Sequence, residues 1–181
     1  MNKIIFCRKC NLCENQPPLL DELSDAEVVW VGLSAKQINQ KHARPLCKGT
    51  VSGNIISQVE ANLLPRKFYK TNLVKCLPLK NGKLRYPNKN ELNDCFGNFI
   101  EEIECIKPKV VFLLGKIVSE FVIKKLGLIA VSIECLANYM VYDRDGTYYI
   151  SIPHPSYVYV YKRHLVQNYI TDLKTLVCCY T

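Results

Sequence analysis

The chain alternates short apolar runs with longer stretches in which apolar residues recur at helical spacing. Residues 26–32 (AEVVWVG) form a nearly continuous apolar run ended by glycine, the signature of a strand buried on both faces. A polar stretch over residues 33–53 predicts a long loop leading into a helix near 54–64. Residues 69–75 (YKTNLVK) predict a second strand, and residues 77–88, with Pro78, Gly82 and Pro87, a loop. From 90 to 106 Leu92, Phe96, Phe99, Ile103 and Ile106 fall on one helical stripe.

Residues 109–115 (KVVFLLG) give the strongest strand signal, followed by a helix through Leu126 and a turn at Asp145-Gly146. Residues 148–153 (YYISIP) predict another strand. The C-terminal helix carries Leu165, Val166, Tyr169, Ile170, Leu173, Leu176 and Val177 on one stripe. Strands alternating with helices imply an α/β fold: a three-layer αβα sandwich around a mostly parallel sheet of about four strands. We expect one domain over 1–181, with an irregular metal-binding lead-in at 1–24. Ligands in such a fold sit at the carboxyl ends of the strands. That directs attention to GLSAK after the first strand, to YKTNLVKC, and to HPSY after the last.

Composition narrows the function classes. The 181 residues are 49% hydrophobic and 22% charged, a globular balance. Lys and Arg outnumber Asp and Glu by 24 to 16, and the net charge of +8 favours a polyanionic partner, nucleic acid first. No stretch approaches the ~20 apolar residues of a membrane span. The opening MNKIIFCRKC has too short an apolar run for a signal-peptide core, so we expect a cytoplasmic chain. Ten cysteines in that setting read as metal ligands or buried thiols rather than disulfides. Cys7 and Cys10 form a C-x2-C pair with Cys13 three residues on, a spacing that suits zinc or an iron–sulfur cluster. Cys76 and Cys95 flank the loop after the second strand, too far apart in sequence to be paired by spacing. Cys105, Cys135, Cys178 and Cys179 are expected to be buried thiols.

Taken in order, C-x2-C-x-L, VVWVG, YKTNLVKC, PNKNELNDC, PKVVFLLGK and HPSY resemble the family 4 type of uracil-DNA glycosylase, which carries a [4Fe–4S] cluster. The likeness runs over about residues 7 to 175. It implies that Cys7, Cys10, Cys76 and Cys95 ligate the cluster, with Cys13 a spare thiol and zinc the alternative metal. The centre would be structural, presenting Lys80, Lys83, Arg85 and Lys89 to DNA phosphates. The resemblance also implies a base pocket made by Gly32, Leu33, Leu46 and Asn72. Asn72 would read the base edge with an amide that both donates and accepts. His154 would contact the departing base oxygen. Ser156, Tyr157, Tyr159, Lys162 and Arg163 would meet DNA, in a segment that wedges the base stack.

Two departures from the family pattern bear on catalysis. The family's first strand runs into a G-E-x-P-G-like turn whose acid serves the attacking water, whereas here the turn is Gly32-Leu33-Ser34-Ala35-Lys36. No Asp or Glu occurs between Glu27 and Glu60. Where the family has an aromatic ring that stacks on the flipped base, this chain has Leu46. Loss of a well-placed catalytic group commonly costs ~10²–10⁴ in rate. The expectation is a DNA-binding homologue with weak or absent uracil excision, acting by occupying DNA or through a protein partner. Two alternatives stay open: an active glycosylase in which Ser34, Asn39 or His42 positions water, and a zinc-stabilised binding module.

Overall fold

The computed structural model describes residues 2–22, 24–37, 43–131, 136 and 138–181. Two one-turn helices, α1 (Asn2–Ile5) and α2 (Leu12–Asn15), lie in the lead-in. They are followed by β1 (Val28–Ser34), α3 (Val51–Ala61), β2 (Phe68–Val74), a small hairpin of β3 (Leu79–Lys80) and β4 (Lys83–Leu84), and α4 (Lys89–Ile106). Then come β5 (Val110–Leu114), α5 (Lys116–Leu126), β6 (Ile129–Ala130), β7 (Met140–Arg144), β8 (Thr147–Ile152), α6 (Pro155–Tyr161), a 3-10 turn at Arg163–Leu165, and α7 (Val166–Tyr180).

The main sheet has the order β2-β1-β5-β8-β7-β6. Its first four strands are mutually parallel and are the four that the apolar runs predict. The sheet nonetheless has six strands rather than about four, because β7 and β6 extend it antiparallel beyond β8. Their sequence hides them: in β7 (MVYDR) only Val141 is fully buried, so no continuous apolar run marks the strand. Helices α3, α6 and α7 cover one face, packing on Val28, Trp30, Phe112 and Ile150. Helices α4 and α5 cover the other, over Val29, Val31, Tyr69, Val111 and Leu113. This is the three-layer αβα sandwich expected. Trp30 and Phe112 stack with ring centroids 4.4 Å apart in the first layer. Helix α4 starts on a capping box, with Asn88 accepting from the Glu91 N–H and Glu91 reaching back to the Asn88 N–H.

Candidate functional site

The carboxyl ends of the four parallel strands converge on one edge of the sheet and build a cleft. Gly32 on β1 is in register with Asn72 on β2, and the Gly115 N–H that follows β5 donates to the Ile152 carbonyl at the end of β8, 2.8 Å away. His154 comes two residues after β8. Asn72 and His154 therefore stand on the two outer strands, three inter-strand spacings or about 14 Å apart along the sheet. The two strands between them carry glycines there, Gly32 within β1 and Gly115 just after β5. A Cβ on Gly32 would lie 2.3 Å from Asn72 Oδ1, and one on Gly115 would lie 3.2 Å from His154 Cβ. The missing side chains are what let both walls lean over the floor. Gly115 also has φ +88°, a conformation open to glycine and costly for other residues.

Asn72 is 4% exposed, and its side-chain amide has no hydrogen-bond partner among the described residues. A buried amide left free to pair is available to the edge of a ligand, since groups so placed ordinarily find partners. Leu46 leans over the same floor, with Cδ2 3.5 Å from the Gly32 Cβ direction. It is held in a left-handed turn (φ +49°) against which Gly53, in the first turn of α3, packs so closely that a Cβ there would meet the Cys47 carbonyl at 1.9 Å. Ser34 is half-buried at the end of β1, in register with Val74 of β2. Leu33 alternates to the other face of β1 and packs with the α4 and α5 side, so it is not brought beside Leu46. Asn39 and His42 lie outside the described residues.

His154 is the N-cap of α6. Its Nδ1 accepts from the Ser156 N–H at 3.4 Å and lies 2.8 Å from the Ser156 hydroxyl. Accepting at Nδ1 puts the ring proton on Nε2, which becomes a neutral donor. Burial lowers the His154 pKa, and the charge of Lys36 lowers it further. The segment expected to wedge the base stack is helix α6, which begins at Pro155 within HPSY. Pro155 at its first position and the His154 cap favour a helix over the strand pattern of alternating Val and Tyr. Tyr157, Tyr159, Lys162 and Arg163 are all exposed on this helix and the turn after it. Tyr157 and Tyr161 pack with ring centroids 5.2 Å apart, and the Arg163 guanidinium covers the Tyr159 ring at 4.9 Å.

A cavity elsewhere collects the thiols. Cys7, Cys10, Cys13, Cys76 and Cys95 all line it, together with Lys75 and Asn98. The two distant pairs are thus brought together, as the resemblance implies. Asn98 Nδ2 donates to Cys7 Sγ at 3.3 Å and to Cys95 Sγ at 3.7 Å, and the Lys75 N–H donates to Cys95 Sγ at 3.4 Å. Cys13 Sγ instead donates to the Cys10 carbonyl at 3.4 Å. Burial raises the thiol pKa of Cys10 and Cys95 and pushes Cys76 up to about 12, with repulsion from the neighbouring sulfurs adding to it. Loading a metal centre there therefore releases protons. No three described His, Cys, Asp or Glu side chains are placed to hold a single metal ion. Cys105 and Cys178 are exposed and Cys179 is disulfide-bonded, so none of these is the buried thiol expected. Cys135 lies outside the described residues.

Sequence reasoning missed the polar network between the thiol cavity and Asn72. Lys75 and Glu102, with side chains 1% and 0% exposed, form an ion pair at 2.5 Å. The signal was present: Glu102 sits on the apolar stripe of α4 beside Phe99 and Ile103, and Lys75 ends a buried strand. A charge on a buried face calls for a partner.

The family model described as the uracil DNA glycosylase superfamily matches residues 18–174. The type-4 uracil-DNA glycosylase of Archaeoglobus fulgidus is 26% identical over 184 residues, covering 97% of this chain and 89% of that protein. Its namesake from Sulfurisphaera tokodaii is 26% identical over 69% of this chain and 57% of its own length. That from Pyrobaculum aerophilum is 30% identical over 67% and 61% respectively. The match thus spans less than two-thirds of the latter two proteins. No helix of the described residues is long and apolar enough to cross a membrane.

Proposed function

The chain belongs to the uracil DNA glycosylase superfamily, and from that membership we propose that it is an iron–sulfur, DNA-binding homologue whose uracil excision is weak or absent. One observation carries the reading. The cleft keeps a free buried amide at Asn72 and a neutral donor at His154, yet no carboxylate stands at position 33 or anywhere between Glu27 and Glu60. Breaking the N-glycosidic bond passes through a sugar with cationic character, comparable to that in glycoside hydrolysis. A flipped base would be read by Asn72, and His154 Nε2–H would donate to the oxygen that gains charge as the base departs. The loop after β1 offers no acidic residue to orient the water that must reach the sugar. Recognition is therefore retained beyond chemistry.

The donor set suits the proposed cluster. Soft sulfur ligands spread around a cavity, with N–H donors from Asn98 and Lys75 aimed at two of them, fit a polynuclear iron centre whose irons each take one thiolate. A tetrahedral zinc would need four of these thiolates converging on one point and is the alternative occupant. When bound, the centre supplies structure, tying the lead-in to α4 through Cys7, Cys10, Cys76 and Cys95. Arg85, paired with Glu91 at 2.5 Å, holds the β3–β4 hairpin so that Lys80 and Lys83 face outward to DNA phosphates. A protein partner that reads the occupied DNA belongs to the same proposal.

The test is to incubate the brown, anaerobically purified protein with a uracil-containing oligonucleotide, cleave with alkali, and measure binding in parallel. Preferential binding of the uracil strand with little or no cleavage is expected. Robust turnover abolished by Asn72→Ala or His154→Ala would overturn the weak-catalysis reading in favour of non-acidic water positioning. A colourless protein with no salt-dependent DNA binding would overturn it in favour of a zinc module.

A further inference from the structure

One residue joins the thiol cavity to Asn72. The Lys75 ammonium donates to Glu102 Oε2 at 2.5 Å, Thr71 Oγ1 at 2.7 Å and the Asn72 carbonyl at 2.6 Å. These three bonds engage all of its protons. Its backbone N–H meets Cys95 Sγ at 3.4 Å, and the next residue, Cys76, lines the same thiol cavity. Glu102 is fixed in turn, with Oε1 accepting from the Tyr69 hydroxyl at 3.0 Å and Oε2 from the Thr71 hydroxyl at 2.8 Å. Burial and the adjacent carboxylate raise the Tyr69 pKa, which keeps that hydroxyl a donor.

Such a pair is a poor device for stability alone, since apolar groups of similar volume often replace a buried ion pair at no loss. What a fully satisfied network does supply is a single arrangement of the groups it bonds. A methionine could fill the space of Lys75, but it could not hold the Asn72 carbonyl. We propose that Lys75 is a positioning residue that couples the thiol cavity to Asn72, so that disturbing the cavity loosens base recognition in the cleft. The inference rests on the reading of Asn72 as the group that meets the base.

A four-protein cycle tests it: the unaltered chain, Cys95→Ala, Lys75→Met and the double variant. Two quantities are read: the affinity ratio for a uracil over a cytosine oligonucleotide, whose hydrogen-bonding edges differ, and hydrogen–deuterium exchange across residues 68–74. Each single variant should lower the ratio about tenfold, the double no further, because both cut one connection. Exchange at the end of β2 should rise in each single variant and rise no more in the double. Losses that multiply in the double, or a Lys75→Met protein with unaltered ratio and exchange, overturn the coupling. If Lys75→Met fails to fold with Glu102 left unpaired, Lys75→Met with Glu102→Gln removes the link without stranding a charge and is read the same way. An unaltered protein that shows no uracil preference would sink the functional reading instead, and the exchange data would still decide the coupling.

Discussion

Gly32→Ala offers the sharpest separation of recognition from folding. The new methyl would sit 2.3 Å from Asn72 Oδ1 and 3.5 Å from Leu46 Cδ2. An ordinary carbon–oxygen approach is about 3.3 Å or more, so the amide oxygen must retreat by roughly 1 Å. Asn72 is 4% exposed, so it can retreat only by turning its side chain, and the turn misaims both ends of the amide. Each net hydrogen bond to a base edge contributes about 0.5–1.5 kcal/mol, so losing two costs about 1–3 kcal/mol. That corresponds to a drop of about 5- to 150-fold in preference for uracil over cytosine, whose edge reverses the donor and acceptor. Stability should hardly change, because Gly32 lies within a strand at ordinary backbone angles, and alanine there gains about 0.4–1 kcal/mol from reduced unfolded-state entropy. Fluorescence anisotropy with matched uracil and cytosine strands measures the first quantity and thermal melting the second. A Gly32→Ala protein that keeps its uracil preference would refute the assignment of Asn72. One that melts more than about 10 °C lower would refute the claim that the clash is local to the pocket.

Three further outcomes follow from the geometry. Glu102→Ala strands the Lys75 ammonium in the core and should cost about 3–5 kcal/mol, lowering Tm by about 6–20 °C, while Glu102→Gln costs markedly less; calorimetry checks both. The lowered pKa of His154 means that the unfolded chain takes up its proton near pH 6.5 and the folded chain only below that. Stability should therefore fall as pH drops from about 6.5 to the depressed value and level off beneath it, and His154→Asn should remove that component of a Tm-against-pH curve. Replacing Lys80 and Lys83 with alanine should lower the slope of log affinity against log salt by about 0.7 for each phosphate left unneutralised on single-stranded DNA.

What the sequence revealed divides along the line between local and distant order. The four parallel strands were legible because strands covered on both faces write themselves as apolar runs, and all five residues of β5 are buried. Strands β6 and β7 were not, since a strand toward the sheet edge has few fully buried positions to display. In α6 the Val-Tyr alternation pointed to strand or loop, and a proline at the first helical position with a histidine cap outweighed it. Within the site, Asn72, His154 and the converging cysteines could be named from motif order alone. Gly115 and the Lys75–Glu102 pair could not, because their meaning lies in what stands opposite them: His154 in one case, and a residue 27 positions away in the other.

One residue serves both as the cap of α6 and as the donor that faces the cleft. The tyrosines of α6 thereby inherit their rotational phase from the same imidazole that would greet an extruded base, with Ser156 clamping the two together. On the proposed function, prying apart a stack and receiving what leaves it would then be coupled through one side chain. Asparagine is among the strongest of helix caps, so His154→Asn would preserve the wedge while removing the ring, and would show how far gripping the strand survives without grasping the base.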